Sequence, residues 1–398
     1  MITEHSAKGP LCDLITRHVD FDYDAFIAQT PIEGYDHWNG YCLPFEYSDA
    51  RKEYHAIRNA CGLFDASPMK KYRFKGADAG AFLDRILTNT VSDKPRLKAI
   101  YGLMCDDDGY LLDDGMLFKL ADDDYLFLIT EIDHFEWFAR FDDFNDLKIT
   151  EESALFHGLA LQGPQSCALL TAFGFAGLAE LKPFDLKVFE LGGFEIIAGR
   201  VGFTGDLGYE IWFPTDALPT IEAALNNAEQ STGIEGLGYG LITAQMGRIE
   251  AGMIVPGWDT AGTFEDLEQE RTPLELTLGW NVKLKREDAF AGKAALIQQK
   301  TNGPRFAMKG IRLRDSSAIE EGTDLYAMVD GTRTKVGTIP SLIWHVQDEC
   351  WIGFASILTA HKSVEDVFAL SGESPVKGEL IKLPFVSFER RAQTPAPT

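Results

Sequence analysis

The clearest pattern along the chain is the alternation of apolar and polar positions over residues 101–130, YGLMCDDDGYLLDDGMLFKLADDDYLFLIT. It predicts three short strands with turns at Asp108-Gly109 and at Asp122-Asp123-Asp124. The middle strand, Tyr110 to Leu120, is an apolar run interrupted by two adjacent carboxylates, Asp113 and Asp114. Successive side chains on a strand point to opposite faces, so a buried face receives one of the two. Burying a carboxylate is costly unless it is paired, hydrogen-bonded or lining a wet cavity. Either the pair is solvated at an edge or bulge, or one of them marks a site of chemistry.

Upstream, residues 1–47 read as an irregular segment anchored by Phe21, Tyr23, Phe26, Tyr35, Trp38 and Tyr41. DARKEYHAIRNAC (49–61) has helical spacing, with Gly62 at the expected stop. KKYRFKG alternates like a strand, GADAGAFLDRIL is a short helix, and FEWFARFDDF is an aromatic-rich one. Near residue 150 the pattern restarts. FHGLALQGP is a strand entering a Gly-Pro corner, and Pro164 suits the first turn of the helix QSCALLTAFG. Residues 187–213 are all β, with Gly202, Gly205 and Gly208 marking tight backbone in GFTGDLGYEIWF. Two helices follow, ALPTIEAALNNAEQ and YGLITAQMGRIEAG. Residues 254–273 are loop-like, and loops of that length inside compact chains are often functional. From residue 305 to 390, AMKGIRL, TDLYAMV, TKVGTIP, CWIGFASI and ELIKLPFVSF predict a small barrel or sandwich. The tail RRAQTPAPT is expected to fray. The pattern alone gives an α+β protein of two mixed units and a β-rich C-terminal unit.

A chain of 398 residues has room for two or three domains and a substantial core. No run of 18 apolar residues suits a membrane span, and residues 1–20 lack the apolar centre of a signal peptide, so a cytoplasmic location is expected. Six scattered cysteines without a CxxC pair predict reduced, buried thiols, and no His/Cys cluster predicts a metal. The formal charge of −24 argues against nucleic acid and anionic membranes as partners. An anionic ligand would need a local basic pocket.

Nine segments add a further reading: LPFEY, HAIRNACGLFDASPM, GYLLDD, ALQGP, GFTGDLGYEIW, GRIEAGM, ERTPLE, GKAAL and LPFV. In that order and spacing, over residues 38–390, the chain resembles the tetrahydrofolate-dependent aminomethyltransferase family. That family is typified by the T protein of the glycine cleavage system, and includes folate-dependent demethylases of dimethylsulfoniopropionate and of methoxylated aromatics. The resemblance implies a three-domain cloverleaf around a central folate hole. Its parts would be an N-terminal segment 1–47, a first folate-binding domain 48–70 plus 150–258, a second 71–149, and a loop with β-rich domain 259–398. It also implies that Asp114 sits near folate N5 and that Glu210 grips the pterin. The physics is coherent: a carboxylate accepts the pterin's adjacent N–H and NH₂ as a bidentate pair. A carboxylate at Asp114 can take the N5 proton or aim its lone pair. Tyr101, Met104, Trp212 and Arg248 are further candidates for folate contact. Trp258 and Asp259 are candidates for the substrate, since a Trp face attracts onium methyls, although a loop Trp also serves as a packing plug. Lys70, Lys71 and the glycines near 205 are candidates for the folate glutamate tail. His55 and His157 read as ordinary histidines.

The chain departs from the T protein at three places. Ala244 occupies the slot of a folate-binding arginine, Arg390 stands near the slot of a C-terminal tyrosine, and Ser67-Pro68-Met69 replaces SHM. The KGCYxGQE segment of the tRNA-modifying relatives is missing. The expectation is therefore a tetrahydrofolate-dependent demethylase, moving a methyl group from a small S-, N- or O-methylated donor to N5. The absence of an evident acid for a phenolate leaving group favours onium donors. The alternatives are the glycine-cleavage aminomethyltransferase, with a lipoyl carrier protein as partner, and a non-catalytic folate-binding regulatory protein.

Overall fold

The structure is a computed structural model that describes residues 7–30, 35–130, 132–260, 270–315, 317, 319–372 and 374–395. An N-terminal layer holds α1 (Cys12–Thr16), α2 (Tyr23–Gln29) and a small sheet of β1 (Ala7–Lys8), β2 (Tyr35–Trp38) and β3 (Tyr41–Pro44). Next comes α3 (Ala50–Asn59), capped by the Asp49 carboxylate, which accepts from the N–H groups of Arg51 and Lys52. Gly62 is not the stop of this helix. It lies inside β4 (Cys61–Asp65), where a Cβ would meet Ile57 at 2.5 Å and the Tyr239 ring at 2.9 Å. Close packing of the strand on the helix selects glycine there.

The chain then leaves β4 and builds a second sheet from β5 (Lys70–Lys75), β6 (Lys98–Cys105), β7 (Leu111–Ala121), β8 (Asp124–Ile129) and β9 (Lys148–Glu151), in the order β6-β7-β8-β5-β9. The meander read from residues 101–130 is its centre. α4 (Ala79–Ile86) packs beneath it. The aromatic helix expected over FEWFARFDDF is only one turn, α5 (Phe135–Phe138), because Phe141 and Phe144 reach Phe82 from irregular backbone.

After this excursion the chain returns to complete the sheet that β4 began. β10 (Phe156–Gln162), β11 (Leu186–Leu191), β12 (Phe194–Gly199), β13 (Gly208–Pro214) and β14 (Gly236–Gly238) give the order β11-β12-β13-β10-β4-β14. α6 (Ser166–Ala172), α7 (Leu218–Thr232) and α8 (Leu241–Ala251) belong to this unit, and Pro164 falls one residue before the α6 N-cap, Gln165. α9 (Lys293–Asn302) leads into a closed barrel of β15 (Phe306–Leu313), β16 (Asp324–Val329), β17 (Thr332–His345), β18 (Cys350–Leu358), β19 (Asp366–Ser371) and β20 (Ser374–Ile381). Of the two architectures expected for this region, it is the barrel that forms. The fold is the α+β class expected. No described helix is long and apolar enough to cross a membrane, and all six cysteines are buried and free.

Two clusters fix how the parts meet. Phe64, Ala66, Ile197 and Trp212 of the first sheet pack on Ala99, Met116, Phe118, Leu126 and Leu128 of the second, so the two sheets face one another. Leu103, Cys105 and Leu111 pack with Ile249 of α8 and with Phe354 of the barrel. Each large apolar side chain buried at such a junction contributes roughly 1.5–3 kcal/mol. The tail is anchored rather than frayed at its start: Arg390 Nη2 lies 2.6 Å from Asp206, and Arg200 donates to the Arg391 carbonyl at 3.0 Å. Residues 261–269 of the long loop lie outside the described residues.

Gly205 has φ +70°, and a Cβ there would lie 2.4 Å from that of Ala251. Gly205→Ala should therefore lose about 2–4 kcal/mol, combining the left-handed backbone cost with overpacking. Urea unfolding of Gly205→Ala and of Gly205→Ala/Ala251→Gly checks this. The double variant should recover only the packing part.

Candidate active site between the facing sheets

The β7–β8 ladder ends at the Gly115–Ile129 pair, and the two carboxylates lie just beyond it. Asp113 turns into the core and is fully buried. It accepts from Thr130 Oγ1 at 3.0 Å and bonds His134 Nε2 at 2.8 Å. Asp114 turns the other way and is half-buried. On its face follow Met116 and Phe118, which meet the first sheet. Tyr101, paired with Met116 on β6, donates its hydroxyl to Asp114 Oδ2. Burial pushes the Asp114 carboxyl up to about 8. The Tyr101 hydroxyl and Arg248 pull it down, while Asp113 and Asp259 add to the rise. Burial and the Asp114 charge in turn hold the Tyr101 phenol well above its ordinary value.

Tyr101 is held from behind and from the side. Its carbonyl accepts from Asn89 at 2.9 Å and from Asn281 at 2.8 Å. Its ring stacks on Trp280 at 6.1 Å and 22°. Trp280 is 63% exposed, which makes it part of the rim beside Asp114. Sequence reading missed Trp280 and Asn281, although they sit together in the segment LGWN, just after the ERTPLE motif.

Glu210 stands on β13, in register with Gly199, Ala160 and, one strand further, Phe64. It is half-buried, and burial pushes it up to about 7, against a smaller downward pull from Trp212. Among the described residues no cation acts on it. Tyr239 stacks on the neighbouring Phe64 at 5.2 Å and feels the Glu210 charge. A carboxylate in such surroundings fits a ligand that brings its own pair of N–H donors. Among the described residues, neither Asp114 on the one face nor Glu210 on the other has a salt-bridge partner.

Four of the expected site residues do something else. Arg248 is fully buried, and its five N–H donors are taken by Gln245, the Met253 carbonyl, both oxygens of Asp259 and Ser341. It has nothing left for folate. Asp259 is its partner and also accepts from Ser341 Oγ and the Val255 N–H, so it anchors the loop rather than meeting substrate. Met104 lies on the opposite face of β6, sealed among Phe74, Phe82 and Leu83. Trp212, two positions along β13 from Glu210 and so on the same face, is completely buried between the sheets against the backbone of Gly158.

The weaker candidates divide similarly. Lys71 is buried, donates to the carbonyls of Ser67 and Met69 at 2.8 Å, and is pushed down to about 8 by burial, so it cannot serve a glutamate tail. Lys70 lies 4.0 Å from Asp133. His55 is exposed, and burial drives His157 down to about 4. Trp258 is 42% exposed, with the Arg248 guanidinium 5.4 Å from its ring centre. It remains a candidate for contact with the donor.

Two facing sheets each carry a half-buried carboxyl group raised by burial, and the barrel packs against the end of the second sheet. Residues 35–286 match the family model described as the GCVT N-terminal domain. The chain is 30% identical to an aminomethyltransferase of Halothermothrix orenii over 88% of this chain and 95% of that one. It is 33% identical to an aminomethyltransferase of Bacillus pumilus over 74% and 78% of the respective chains. The crystal structure of glycine cleavage system aminomethyltransferase T from Bartonella henselae superposes with a TM-score of 0.80 at 22% identity, covering 96% of this chain and 98% of that one, and so shares its fold. The chain belongs to the GCVT aminomethyltransferase family, and is a tetrahydrofolate-dependent one-carbon transferase.

Two stability measurements follow from the site's electrostatics. A carboxyl raised in the folded state costs nothing below its unfolded pKa, then lowers stability as pH rises to its folded value. Asp114→Asn should therefore be more stable than the parent, with a gap that opens between about pH 4 and pH 8 and reaches roughly 1–4 kcal/mol. Thermal unfolding across that range reads it, and a pH-independent gap would contradict the raised carboxyl. Asp259→Ala should instead lose about 3–5 kcal/mol, because it leaves a buried guanidinium uncompensated. Denaturant titration reads that loss.

Proposed function

We propose that this chain moves the aminomethyl group of a lipoyl carrier protein to tetrahydrofolate, a reading supported by its similarity to proteins named aminomethyltransferase. Asp114 carries the reading: a half-buried carboxyl raised to about 8, bonded to a half-buried phenol, and facing the sheet that bears Glu210. Tetrahydrofolate supplies the nucleophilic N5 and its proton. Glu210 accepts the pterin's paired donors and sets the ring's orientation. As the N5–C bond forms and the carbon's bond to the lipoyl sulfur breaks, with the electron pair going to the sulfur, which takes up a proton, Asp114 takes the N5 proton. N10 then closes on the same carbon as its bond to the amine breaks, and the N10 proton leaves with ammonia, giving methylenetetrahydrofolate. Tyr101 steadies the carboxylate by its hydrogen bond, and the packed sheets keep the acceptor aligned, which is where much of the rate of a bimolecular transfer comes from.

A second reading, demethylation of a small methylated donor, is favoured by one group of observations. Ala244, at the slot of the family's arginine, is buried among Tyr54, Ile57, Tyr239 and Met246 and offers no charge. Arg390 is committed to Asp206. The exposed Trp258 offers a π face to an onium methyl.

Incubation with dihydrolipoyl carrier protein, ammonia and methylenetetrahydrofolate separates the readings. Mass spectrometry should find the aminomethylated carrier and tetrahydrofolate. Methyl transfer from onium or methoxy compounds to tetrahydrofolate, with an unreacted carrier, would replace the first reading by the second. In either assay Asp114→Asn should lower turnover by about 10²–10⁴-fold with folate still bound. Glu210→Ala should weaken folate binding by about 1–3 kcal/mol, measured by calorimetry.

A further inference from the structure

We propose that Asp113 is a positioning residue for Asp114, its carboxylate fixing the strand beneath the base and placing a second negative charge one residue away. The inference rests on the reading of Asp114 as the base. Its starting point is the end of a ladder. β8 pairs with β7 as far as Gly115, and beyond that point the backbone under Asp114 has no strand on that side. The Asp113 side chain fills the gap. Its Oδ1 accepts from the Asp114 N–H at 2.8 Å, and both its oxygens accept from Thr130 Oγ1 at 3.0 Å. His134 Nε2 closes the set at 2.8 Å, and the His134 N–H donates to Tyr72 at 3.2 Å. Asp113 is fully buried, and a carboxylate held by this many donors is an expensive way to end a strand. An asparagine could accept from Thr130 and the Asp114 N–H without the charge.

What the charge adds is felt on the other face of β7. Asp114 is surrounded by Tyr101 from β6, Arg248 from α8, Asp259 from the loop after it, and Asp113 beside it. Arg248 and Asp259 are paired with each other and largely cancel. Asp113 is hydrogen-bonded to His134, behind the strand, while Lys70 and Asp133 lie further out along that side. Asp113 therefore makes Asp114 a stronger base by repulsion, while its hydrogen bonds hold the Asp114 backbone still.

The test is Asp113→Asn, read by the ¹³C-carboxyl titration of Asp114 (assigned by its loss in Asp114→Asn) and by the pH profile of transfer. The Asp114 midpoint and the acid limb of the rate should both move about one pH unit towards acid, a tenfold change in ionised fraction. The KM for tetrahydrofolate should hold, because Glu210 is untouched. A midpoint that stays where it was, whatever happens to the rate, overturns the proposal and leaves Asp113 a structural residue. A midpoint that moves in a protein showing no transfer with any donor leaves this inference standing and removes the functional reading instead. If Asp113→Asn does not fold, the parent protein decides. Asp113 must stay ionised throughout the titration of Asp114, and a protonated Asp113 in that range overturns the proposal.

Discussion

Arg248 carries five N–H donors, and all five end on acceptors inside the protein. Two buried charges cost more to desolvate than their attraction returns unless the remaining donors and lone pairs are also filled. Here the Ser341 hydroxyl and the Val255 N–H complete the Asp259 side. The requirement binds three parts of the chain at one point: α8 of the first unit, the loop at residues 255–260, and strand β17 of the barrel. Trp258 is placed beside the pair with its indole partly exposed. Because the pair is neutral as a unit, the nearby Asp114 is governed by burial rather than by a net charge from this side.

The same comparison sorts the buried acids. Burial pushes Glu250 up, but His345 and Arg58 outweigh it and hold the carboxyl below its ordinary value. Asp206 is clasped by Arg58 and Arg390. Glu53 and Asp65 are raised by burial, yet backbone N–H groups of Tyr47, Ser48, Gly240, Leu11 and Ser67 fill their lone pairs. These are structural carboxylates, and each is satisfied within the chain. Asp114 has one phenol, and Glu210 has an indole nearby. A fold that leaves two buried acids so lightly held gives up stability that a ligand with complementary donors can restore. Sites of this kind are where strained ionisation is put to use.

Much of this was legible because strand parity is strict. The alternation over residues 101–130 was enough to find the meander and to separate Asp113 from Asp114. The same parity puts Tyr101 and Met104, three apart on one strand, on opposite faces, so Met104 could have been set aside without coordinates. Parity also put Trp212 with Glu210, but burial of that face depends on which sheet lies opposite, and no local pattern records that. Arg248 and Asp259 are eleven residues apart across a loop, and their pairing follows from loop geometry rather than from spacing. Gly62 looked like a helix stop because glycine serves there so often. Its actual reason, the approach of Ile57 and Tyr239, is a tertiary contact. Trp280 carried no signal of its own, since an exposed tryptophan gains meaning only from the ring it stacks on.

The division of labour between the lobes bears on how one scaffold can serve different donors. Asp114, Tyr101 and Glu210 stand on strands whose positions are fixed by ladders and by the apolar cluster between the sheets. Trp258 and Trp280 come from the connection between α8 and α9, whose described residues include one short turn, Gly279–Asn281. A change in the connection alters what can approach Asp114 without disturbing the register that positions it, whereas a change on β7 or β13 would disturb both sheets. Under the proposed function, acceptor chemistry would be held by the strands and donor choice by loops. A departure such as Ala244, on α8 and packed with Tyr239, changes the packing of that helix while leaving the two carboxylates where they are. That is why such substitutions can coexist with an intact Asp114–Tyr101 pair.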